Sequence, residues 1–443
     1  MKPPQKPPAM LPLLEKHTSE LPSILSTVRS ASLGEQYVHW DKLRHLDPPP
    51  PLSHEQWWLG IKIERMSQSR RLPLLDPGGR PFVYTLPDPV LAMLHRIDNR
   101  ASGRVELPGT VATEENRDRF VFNSLVEEAI TSSQLEGAST TRQAAADMIR
   151  QHRAPRDQDE RMIFNNFRAM ESLRELRGKP LDRETLMRLH LTLTDSTLED
   201  FGAAGRLQAV GEKRVEVIDN LSRRVLHTPP AAELLPQRME TLIRFANQTG
   251  DAEPFVHPVI RAIVLHFWLA YEHPFVDGNG RTARALFYWS MLRQGYWLFE
   301  FISISRILKQ SPARYGRAFL ETETDSNDLT YFILFQLQVI LRALADLETY
   351  LQRKTEQVRS VESLLKQSDL NHRQIALLSH AIRHPGHEYT IKTHQTSHRV
   401  AYASARSDLL ILAGCGLLQQ RRIGRKTLSF IAPEDLEQRI GAQ

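Results

Sequence analysis

Apolar residues recur at helical spacing along most of this chain, and strand-like alternation is rare. Between about residues 110 and 350, almost every segment has the period of an amphipathic or fully buried helix. The predicted helices span 139–152, 157–177, 183–193, 232–248, 257–272, 281–294, 312–322 and 328–357. The pattern therefore predicts a mainly α fold.

The first 109 residues form a proline-rich and partly helical region. Helices are predicted there at 13–20, 37–43, 53–70 and 89–99. Ser53 is the expected N-cap of the third of these helices, and Asp88 is the expected cap of the fourth. The neighbouring Trp57 and Trp58 are expected to anchor their helix in a core.

Composition agrees with that of a large soluble protein. The chain has 443 residues, 41% apolar and 25% charged, a length that predicts two to four domains. Its single cysteine, Cys415, rules out an intramolecular disulfide and suits a reducing compartment. The amino terminus lacks the apolar stretch of a signal peptide, and there is no run of about eighteen apolar residues. We therefore expect a cytoplasmic protein that does not enter a membrane.

The run from His273 to Arg284, HPFVDGNGRTAR, concentrates the candidate chemistry. It connects two predicted helices and places its glycines at the start of the second one. Glycines allow close approach of the backbone, and the free N–H groups and dipole of a helix N-terminus favour an anion. The run predicts an anion site.

The spacing of the charged residues indicates which anion. Arg281 and Arg284 project from one side of the first helical turn, which suits a chain of phosphates. Asp277 would repel phosphate unless a divalent cation lay between them, and Mg²⁺ is the ordinary choice. His273 is placed to take a proton from a hydroxyl that attacks a phosphorus.

This run resembles the signature of the Fic family (filamentation induced by cAMP). It has the expected residue at every position that the signature specifies. The resemblance implies a Fic-type helical core at 110–357 that transfers AMP from ATP to a Ser, Thr or Tyr hydroxyl of a protein. His273 would be the general base, Asp277 the Mg²⁺ ligand and Phe275 a core anchor. The implied nucleotide-binding segment consists of Asp277, Gly278, Asn279, Gly280, Arg281, Thr282, Ala283 and Arg284, with Arg284 at the γ-phosphate. Residues 273–284 are called the signature segment below.

A second similarity to the family lies upstream, in a predicted helix at 113–137. Ser132 and Glu136, followed by Gly137 as a C-terminal cap, match the inhibitory helix of many members. The resemblance implies that Glu136 pairs with Arg284 and denies the γ-phosphate its partner. Ser132 either bonds locally or faces solvent.

The free energy of the expected Glu136–Arg284 pair, called the lock below, can be bounded. A partly buried Arg–carboxylate pair couples by about 1 to 4 kcal/mol, because desolvation offsets much of the attraction. That coupling corresponds to roughly 5- to 1000-fold in the competent population. We expect strong but incomplete repression that Glu136→Gly relieves.

One segment within the helical region, residues 205–228, has the pattern of a β-hairpin. The family has a flap at this place, which pairs with the target segment and covers the nucleotide. Val217, Ile218 and Asp219 are its expected contact residues. Its basic residues either favour an acidic target or are solvated surface charges: Lys213, Arg214, Arg223 and Arg224.

Tyr315 lies where relatives often carry paired tyrosines near the adenine. Because only one tyrosine is present here, a core or surface position is the alternative interpretation.

The tail at 365–435 is predicted to be a separate unit. Three helices at 371–383, 392–399 and 400–412 are followed by an alternating hairpin, an order that resembles a winged helix-turn-helix. Residues 371–431 contain nine Lys or Arg and two Asp or Glu, whereas the whole chain carries only +5. Such concentration is typical of contact with a phosphate backbone. The candidate DNA contacts are Arg399, Arg406, Arg421, Arg422, Arg425 and Lys426; protein docking is the alternative.

Two functions from different classes are compatible with these features. One is an autoinhibited adenylyltransferase, and the other is a DNA-binding regulator that uses the Fic core as a nucleotide sensor. Removal of AMP is also open, because Glu136 could orient a water in the reverse reaction. The expected small molecules are ATP and Mg²⁺, the expected partner is a protein that bears a hydroxyl target, and a homodimer is left open.

Overall fold

A computed structural model describes residues 2–31, 37–101, 114–219, 223–248, 254–384, 386–423, 427–433 and 435–441. The chain divides into two compact units. The first consists of Met1–Val105 and Asn123–Leu344, and the second of Glu106–Phe122 and Ala345–Gln443. Each unit is described by itself.

The first unit opens with the helices α1 (Met10–His17), α2 (Leu21–Ser30), α3 (Trp40–Leu43), α4 (His54–Gln68) and α5 (Asp88–Ala101). Helices α1 to α4 contribute to a core that contains a tryptophan pair. Ser53 caps α4 through a capping box, and Trp57 and Trp58 are buried, as predicted. Asp88 is the first residue of α5 rather than its cap. The sequence analysis missed α2.

A β-hairpin between α4 and α5 was also missed. Strands β1 (Arg70–Leu75) and β2 (Pro81–Tyr84) pair antiparallel. Phe82 is fully buried, and its ring centroid lies 4.9 Å from that of Tyr271 and 5.4 Å from that of Phe267. The hairpin is therefore part of the core of the first unit.

The remaining helices of the first unit follow the predicted order. They are α6 (Glu114–Leu135), α7 (Arg142–Arg150), α8 (Gln158–Leu176), α9 (Arg183–Thr194), α10 (Leu235–Ala246), α11 (Pro258–Glu272), α12 (Asn279–Arg293), α13 (Ile304–Gln310), α14 (Pro312–Thr324) and α15 (Thr330–Gln367). Of these, α13 was not predicted. The first turns of α6 and the part of α15 beyond Leu344 belong to the second unit.

Helices α11 and α12 form the centre of the first unit; α11 ends just before the signature segment, and α12 begins within it. All but two residues of α11 are buried, which explains why its sequence is apolar on nearly every face. Helix α12 ends before Gly295, whose φ of +85° terminates it as expected. The signature segment thus begins in a connection held between two buried helices.

The predicted flap is present but its strands are short. Strands β3 (Val217–Ile218) and β4 (Val225–His227) pair antiparallel, whereas the earlier part of 205–228 forms turns. Residues 220–222, at the predicted tip, lie outside the described residues.

The second unit contains helices and a small sheet. Its elements after α15 are α16 (His372–Arg383), β5 (Glu388–Thr390), α17 (Ile391–His398), α18 (Tyr402–Gly414), β6 (Gln419–Ile423), β7 (Thr427–Ile431) and α19 (Leu436–Gly441). The sheet is antiparallel in the order β5-β7-β6, so the predicted hairpin gains a third strand that the sequence analysis missed. Helix α15 runs ten residues beyond its predicted end because Val361 and Leu365 pack into the core of this unit.

Within α15, Thr330–Arg353 is long and apolar enough to cross a membrane by length and composition alone. More than half of its most apolar window, 56%, is buried inside the protein. A core helix passes the same test, so this feature is weak evidence for a membrane span.

Candidate functional site

His273 lies at the end of α11 in a conformation that few side chains adopt. Its φ of +47° is left-handed, and its N–H caps the helix by donating to the carbonyl of Leu269. Nδ1 lies 3.2 Å from the carbonyl oxygen of Ala270. Because a carbonyl can only accept, Nδ1 carries the proton of the neutral ring and Nε2 has the free lone pair. Burial lowers the pKa of His273 below its usual value, so the ring is a neutral base at pH 7.

Asn279 shapes the turn that follows. Its side-chain oxygen accepts from the N–H of Phe275 at 2.9 Å, and its amide group donates to the carbonyl of Phe275 at 2.9 Å. Phe275 is fully buried, as predicted for a core anchor. Only the backbone of Asn279, and not its carboxamide, is therefore available to a ligand.

Asp277 is the exposed member of the turn. Its carboxylate is 56% exposed, and one oxygen accepts a 2.6 Å hydrogen bond from the N–H of Gly278. Gly278 has a φ of +78° and starts α12, whose first N–H groups have no acceptor within the helix. A carboxylate thus stands beside a helix N-terminus that favours anions.

Arg281 is buried with unused donors. Its Nη1 donates to the carbonyl of Leu193 at 2.9 Å, whereas Nε and Nη2 have no hydrogen-bond acceptor within the described part of the chain. Asp277 is its nearest carboxylate, at 3.6 Å. Burial lowers the pKa of Arg281, which nevertheless stays charged. Unsatisfied donors on a buried cation indicate a site built for an anion.

The next two residues turn away from this site. The Thr282 hydroxyl donates to the carbonyl of Gly278 at 2.8 Å, and both Thr282 and Ala283 are fully buried. Any contact that they make to a nucleotide would therefore be limited to the backbone.

Arg284 is enclosed by acceptors from the end of α6. Its Nη2 lies 2.8 Å from Glu136 Oε1 and 3.0 Å from the carbonyl oxygen of Ser132. Its Nε donates to the Ser132 hydroxyl at 2.8 Å. Ser132 is buried, so the alternative in which it faces solvent is wrong. Gly137 ends the turn with a φ of +104°, as expected of a cap.

Burial and the charge of Arg284 shift the pKa of Glu136 in opposite directions. Burial alone would raise its pKa, but the charge and hydrogen bond of Arg284 more than offset this effect and hold the pKa below its usual value. The carboxylate is ionised at neutral pH. A Cβ atom on Gly280 would collide with it, so the glycine allows α12 to approach Glu136 closely.

A second carboxylate, Glu128, anchors α6 two turns before Glu136. Its buried side chain accepts from the Tyr288 hydroxyl at 2.9 Å, the Ser303 hydroxyl at 2.7 Å and the Ser305 N–H at 3.1 Å, and also from the Ser305 hydroxyl. These donors belong to α12 and to the start of α13. Sequence reasoning missed Glu128, although a carboxylate in an apolar helical stretch is a signal of a buried network.

Helix α9 forms the floor of the signature segment. His190 lies under Asp277, the carbonyl of Leu193 binds Arg281, and a Cβ on Gly278 would come within 2.6 Å of Thr194. Burial lowers the pKa of His190 to about 4, so the ring is neutral. None of these α9 residues was predicted, because the nearest lies more than 80 positions from its partner.

Arg214, which was predicted to be a surface charge of the flap, instead points into the protein. It donates to the carbonyls of Glu272 and His273 at 2.6 and 3.1 Å, to that of Pro230 at 2.8 Å, and also to Gln208. Its guanidinium thus holds the chain on both sides of the candidate base. Arg214 is therefore not available to an acidic target, and the hypothesis of an acidic target now applies to Lys213, Arg223 and Arg224.

The expected flap contacts lie on one short ladder. Val217 pairs with His227 and Ile218 with Val225, while the N–H of Asp219 donates to the carbonyl of Arg224 at 2.9 Å. Ile218 and Val225 are both exposed. The role of these residues in binding a target stays a prediction.

Tyr315 is half-buried in the first unit and interacts with Arg284. Its hydroxyl is 2.7 Å from His266 Nε2. Burial raises the pKa of Tyr315 to about 12 and lowers that of His266 to about 3, so both are neutral. The predicted contact of Tyr315 with adenine is untested.

The candidate DNA-binding residues lie in the second unit. Arg399, Arg406, Arg421 and Arg422 are exposed. Arg425 and Lys426 lie outside the described residues.

Within the described residues, no group of three or more His, Cys, Asp or Glu side chains is arranged to hold a metal ion. A lone exposed carboxylate next to unpaired arginine donors suits Mg²⁺ that is held by one protein ligand and by phosphate oxygens. The donor set of Asp277 and Arg281 therefore fits a metal–nucleotide complex.

Part of the chain is similar in sequence to known proteins. Residues 180–291 match the Fic/DOC family model. The chain is 41% identical over 71 residues to a protein adenylyltransferase Fic from Nematostella vectensis and 39% identical over 70 residues to one from Drosophila ananassae. These segments cover 16% of this chain, and 16% and 14% of the two relatives.

A similar fold is present in a solved structure. A Fic family protein from Desulfovibrio desulfuricans G20 superposes with a TM-score of 0.51 at 16% identity, covering 79% of this chain and 98% of that one. Helix α9, the flap and the signature segment all lie within the residues that match the family model. Residues 180–291 are therefore similar to a Fic/DOC domain, and the chain has the mainly helical Fic fold.

Proposed function

We propose that this protein is an autoinhibited protein adenylyltransferase that transfers AMP from ATP to a Ser, Thr or Tyr hydroxyl. The observation that carries the proposal is the Glu136–Arg284 pair at 2.8 Å, formed close to Arg281 and His273. A buried arginine whose guanidinium is held by an inhibitory carboxylate and a serine is suited to exchange these partners for phosphate.

The signature segment divides the work of binding. The first N–H groups of α12 and the unused donors of Arg281 would hold the α- and β-phosphates. Arg284 would hold the γ-phosphate once Glu136 has left. Asp277 would hold Mg²⁺, which would neutralise phosphate charge and orient the leaving pyrophosphate.

His273 performs the proton transfer. The hydroxyl oxygen of the target attacks the α-phosphorus, and the bond from that phosphorus to the bridging oxygen of the β-phosphate breaks. Pyrophosphate leaves with the bonding electrons, and the hydroxyl proton goes to Nε2 of His273. The hydrogen bond from Nδ1 to Ala270 orients the ring for this role.

Three acceptors from one helix end must leave Arg284 together: the Glu136 carboxylate, the Ser132 hydroxyl and the Ser132 carbonyl. An Arg–carboxylate pair in this setting couples by about 1 to 4 kcal/mol, or roughly 5- to 1000-fold in competent population. The expected behaviour is low basal transfer that rises sharply when Glu136 is removed.

The test uses the full chain with labelled ATP and Mg²⁺. We expect Glu136→Gly to incorporate AMP into its own hydroxyls and into proteins of a cell extract, and Glu136→Gly/His273→Ala to incorporate none. Equal incorporation by the two variants would exclude His273 as the base. No incorporation by either, with intact ATP binding, would favour the nucleotide-sensor alternative. Faster loss of AMP from a labelled protein with Glu136 present would favour AMP removal.

A second function is favoured by the second unit, in which α16, α17 and α18 pack on the antiparallel sheet β5-β7-β6. We propose a winged helix-turn-helix that binds DNA. Arg399 precedes α18, Arg406 lies on it, and Arg421 and Arg422 lie on β6; all four are exposed. Exposed cations on a recognition helix and wing suit contact with phosphates and bases.

Duplex binding as a function of salt tests this second proposal. Affinity should fall steeply between about 50 and 200 mM salt, and replacing Arg421 and Arg422 with alanine should reduce the slope by about two. Arg353→Ala removes an exposed charge of the same unit from α15 and is the matched control. Absence of binding, or binding independent of salt, would favour a protein-docking role.

A further inference from the structure

His190, which lies outside the signature segment, connects it to the start of the flap. The side chain is fully buried on α9. Its Nε2 lies 2.9 Å from the carbonyl oxygen of Asp277, and its Nδ1 accepts a 3.0 Å hydrogen bond from the N–H of Gly205. A carbonyl only accepts and an N–H only donates, so these partners fix a single neutral tautomer with the proton on Nε2.

The ring also supports the signature segment by direct packing. It stacks on Phe275 with centroids 3.7 Å apart and planes 7° from parallel. A Cβ on Gly278 would lie 3.4 Å from Nε2, so the ring is directly below the residue that starts α12. One side chain therefore contacts three residues of the turn that runs from Phe275 to Gly278.

The contact with Asp277 bears on metal binding. The Asp277 carboxylate is more than half exposed, and its contacts with the adjacent Gly278 N–H and, at 3.6 Å, with Arg281 both lie within the signature segment. Its direction therefore depends on the orientation of its own peptide, and the carbonyl of that peptide is the group that His190 binds. Partners in the surroundings of a metal ligand commonly change metal affinity or activity by about 10- to 100-fold when removed.

We propose that His190 is a positioning residue that fixes the Asp277 peptide for metal–nucleotide binding and holds the Gly205 end of the flap to the same site. The proposal rests on the proposed function, in which Asp277 holds Mg²⁺. The two ring nitrogens have separate roles. Nε2 donates to the carbonyl of Asp277, the proposed metal ligand, and Nδ1 accepts from the N–H of Gly205 in the flap.

Three substitutions in the Glu136→Gly chain separate these roles. His190→Phe keeps an aromatic ring against Phe275 and loses both hydrogen bonds. His190→Gln places an amide donor near the position of Nε2, and His190→Asn places an acceptor near the position of Nδ1. Thr192→Ala, which removes a hydroxyl bonded only within α9, is the matched control.

The first measurement is equilibrium binding of ATP with and without Mg²⁺, together with the Mg²⁺ concentration that half-saturates AMP transfer. We expect His190→Phe and His190→Asn to raise the half-saturating Mg²⁺ by about 10-fold or more, with metal-free ATP affinity little changed. His190→Gln and Thr192→Ala should stay near the parent.

The second measurement is hydrogen exchange of the Gly205 amide, which requires neither metal nor activity. Exchange should accelerate in His190→Phe and His190→Gln and stay slow in His190→Asn. Thermal melting establishes that each variant is folded, and the two amide variants keep the test informative if His190→Phe does not fold.

The proposal is overturned if a folded His190→Phe binds ATP–Mg²⁺ and transfers AMP with the parent's metal dependence. It is also overturned if all three variants lose metal-free ATP affinity equally, which is the result of general disruption. If the Glu136→Gly parent transfers no AMP but its ATP–Mg²⁺ affinity depends on His190, the proposed function fails and the His190 assignment stands. If transfer is normal and His190 has no effect on it, the proposed function stands and the His190 assignment fails.

Discussion

The Glu136 carboxylate lies 2.8 Å from the guanidinium of Arg284, although 148 positions separate the two residues in the chain. Arg284 is 2% exposed and Glu136 is 28% exposed, so the pair is enclosed on the arginine side and open to solvent on the other. The accessible partner is thus the one that must move, because Arg284 is fixed within α12. This asymmetry makes the end of α6 the mobile half of the proposed lock.

Removing Glu136 should increase the affinity for ATP more than the affinity for ADP. We expect Glu136→Gly to tighten ATP binding by roughly 10- to 100-fold and ADP binding far less, because Arg284 would bind the γ-phosphate that only ATP carries. Calorimetric titration with each nucleotide measures the ratio of the two affinities. Glu127→Gln, on the same helix, should leave this ratio unchanged. A similar gain for ATP and ADP would mean that Glu136 blocks the site sterically and does not compete for Arg284.

Glu128 should stabilise the position of α6 in which Glu136 pairs with Arg284. Its carboxylate accepts from Tyr288, Ser303 and both polar groups of Ser305, whereas a glutamine would turn amide hydrogens towards these donors. We expect Glu128→Gln to destabilise the protein by about 1 to 3 kcal/mol and to raise basal AMP transfer.

Chemical denaturation and AMP incorporation measure the two effects of Glu128→Gln. Glu127→Gln again is the control, because Glu127 pairs with the exposed Arg142. If Glu128→Gln lost stability but transferred no more AMP than the native chain, the network would stabilise α6 without holding the inhibitory turn.

The acidic limb of the rate profile should lie below the ordinary pKa of histidine, 6.5. His273 acts as a base in its neutral form, and burial lowers its pKa, so the active form persists to lower pH. Loss of the Glu136 charge in the Glu136→Gly variant lowers the pKa further, because that charge favours the protonated ring. The measurement is kcat/KM of Glu136→Gly from about pH 5 to about pH 8. A midpoint at or above 6.5 would contradict the assignment.

His227 should make the anchoring of the flap depend on pH. Nδ1 lies 2.8 Å from Glu323 and Nε2 lies 2.7 Å from the carbonyl of Tyr271. Burial alone would lower the pKa of His227, but Glu323, the Tyr271 carbonyl and Glu272 together raise it above 6.5. A raised pKa in the folded state gives stability that is complete below 6.5 and lost as pH rises through the folded pKa.

Thermal melting of the native chain and of Glu323→Gln tests this dependence. The margin by which the native chain melts higher should be largest below pH 6.5, and it should shrink as the pH rises above this value. Glu321→Gln, two residues away on α14 and paired with Arg317, is the control for loss of a nearby carboxylate. A margin that stays constant over this range would show that His227 does not titrate in the contact.

Local signals in the sequence were sufficient for much of the fold. The period of α11, the glycine that ends α12 and the Ser53 capping box are all features of neighbouring residues. The β1–β2 hairpin was missed because its strands are short and its stability comes from Phe82 packing on α11, which lies far along the chain. The first strand of the small sheet, β5, was missed because it is short and pairs with β7, which lies far along the chain.

By itself, the sequence determined the chemistry of the turn between α11 and α12: a histidine, a carboxylate, glycines at a helix start and two arginines within twelve positions. These groups are adjacent because the chain is continuous there, so no long-range contact is needed to bring them together. The tertiary structure alone decided the state of each group. It placed Ser132 and Glu136 on Arg284, turned Arg214 from the flap surface onto the carbonyls of Glu272 and His273, and put His190 beneath Asp277. Hydrogen bonds and burial between distant positions depend on how helices pack, and the local period of a sequence does not carry that information.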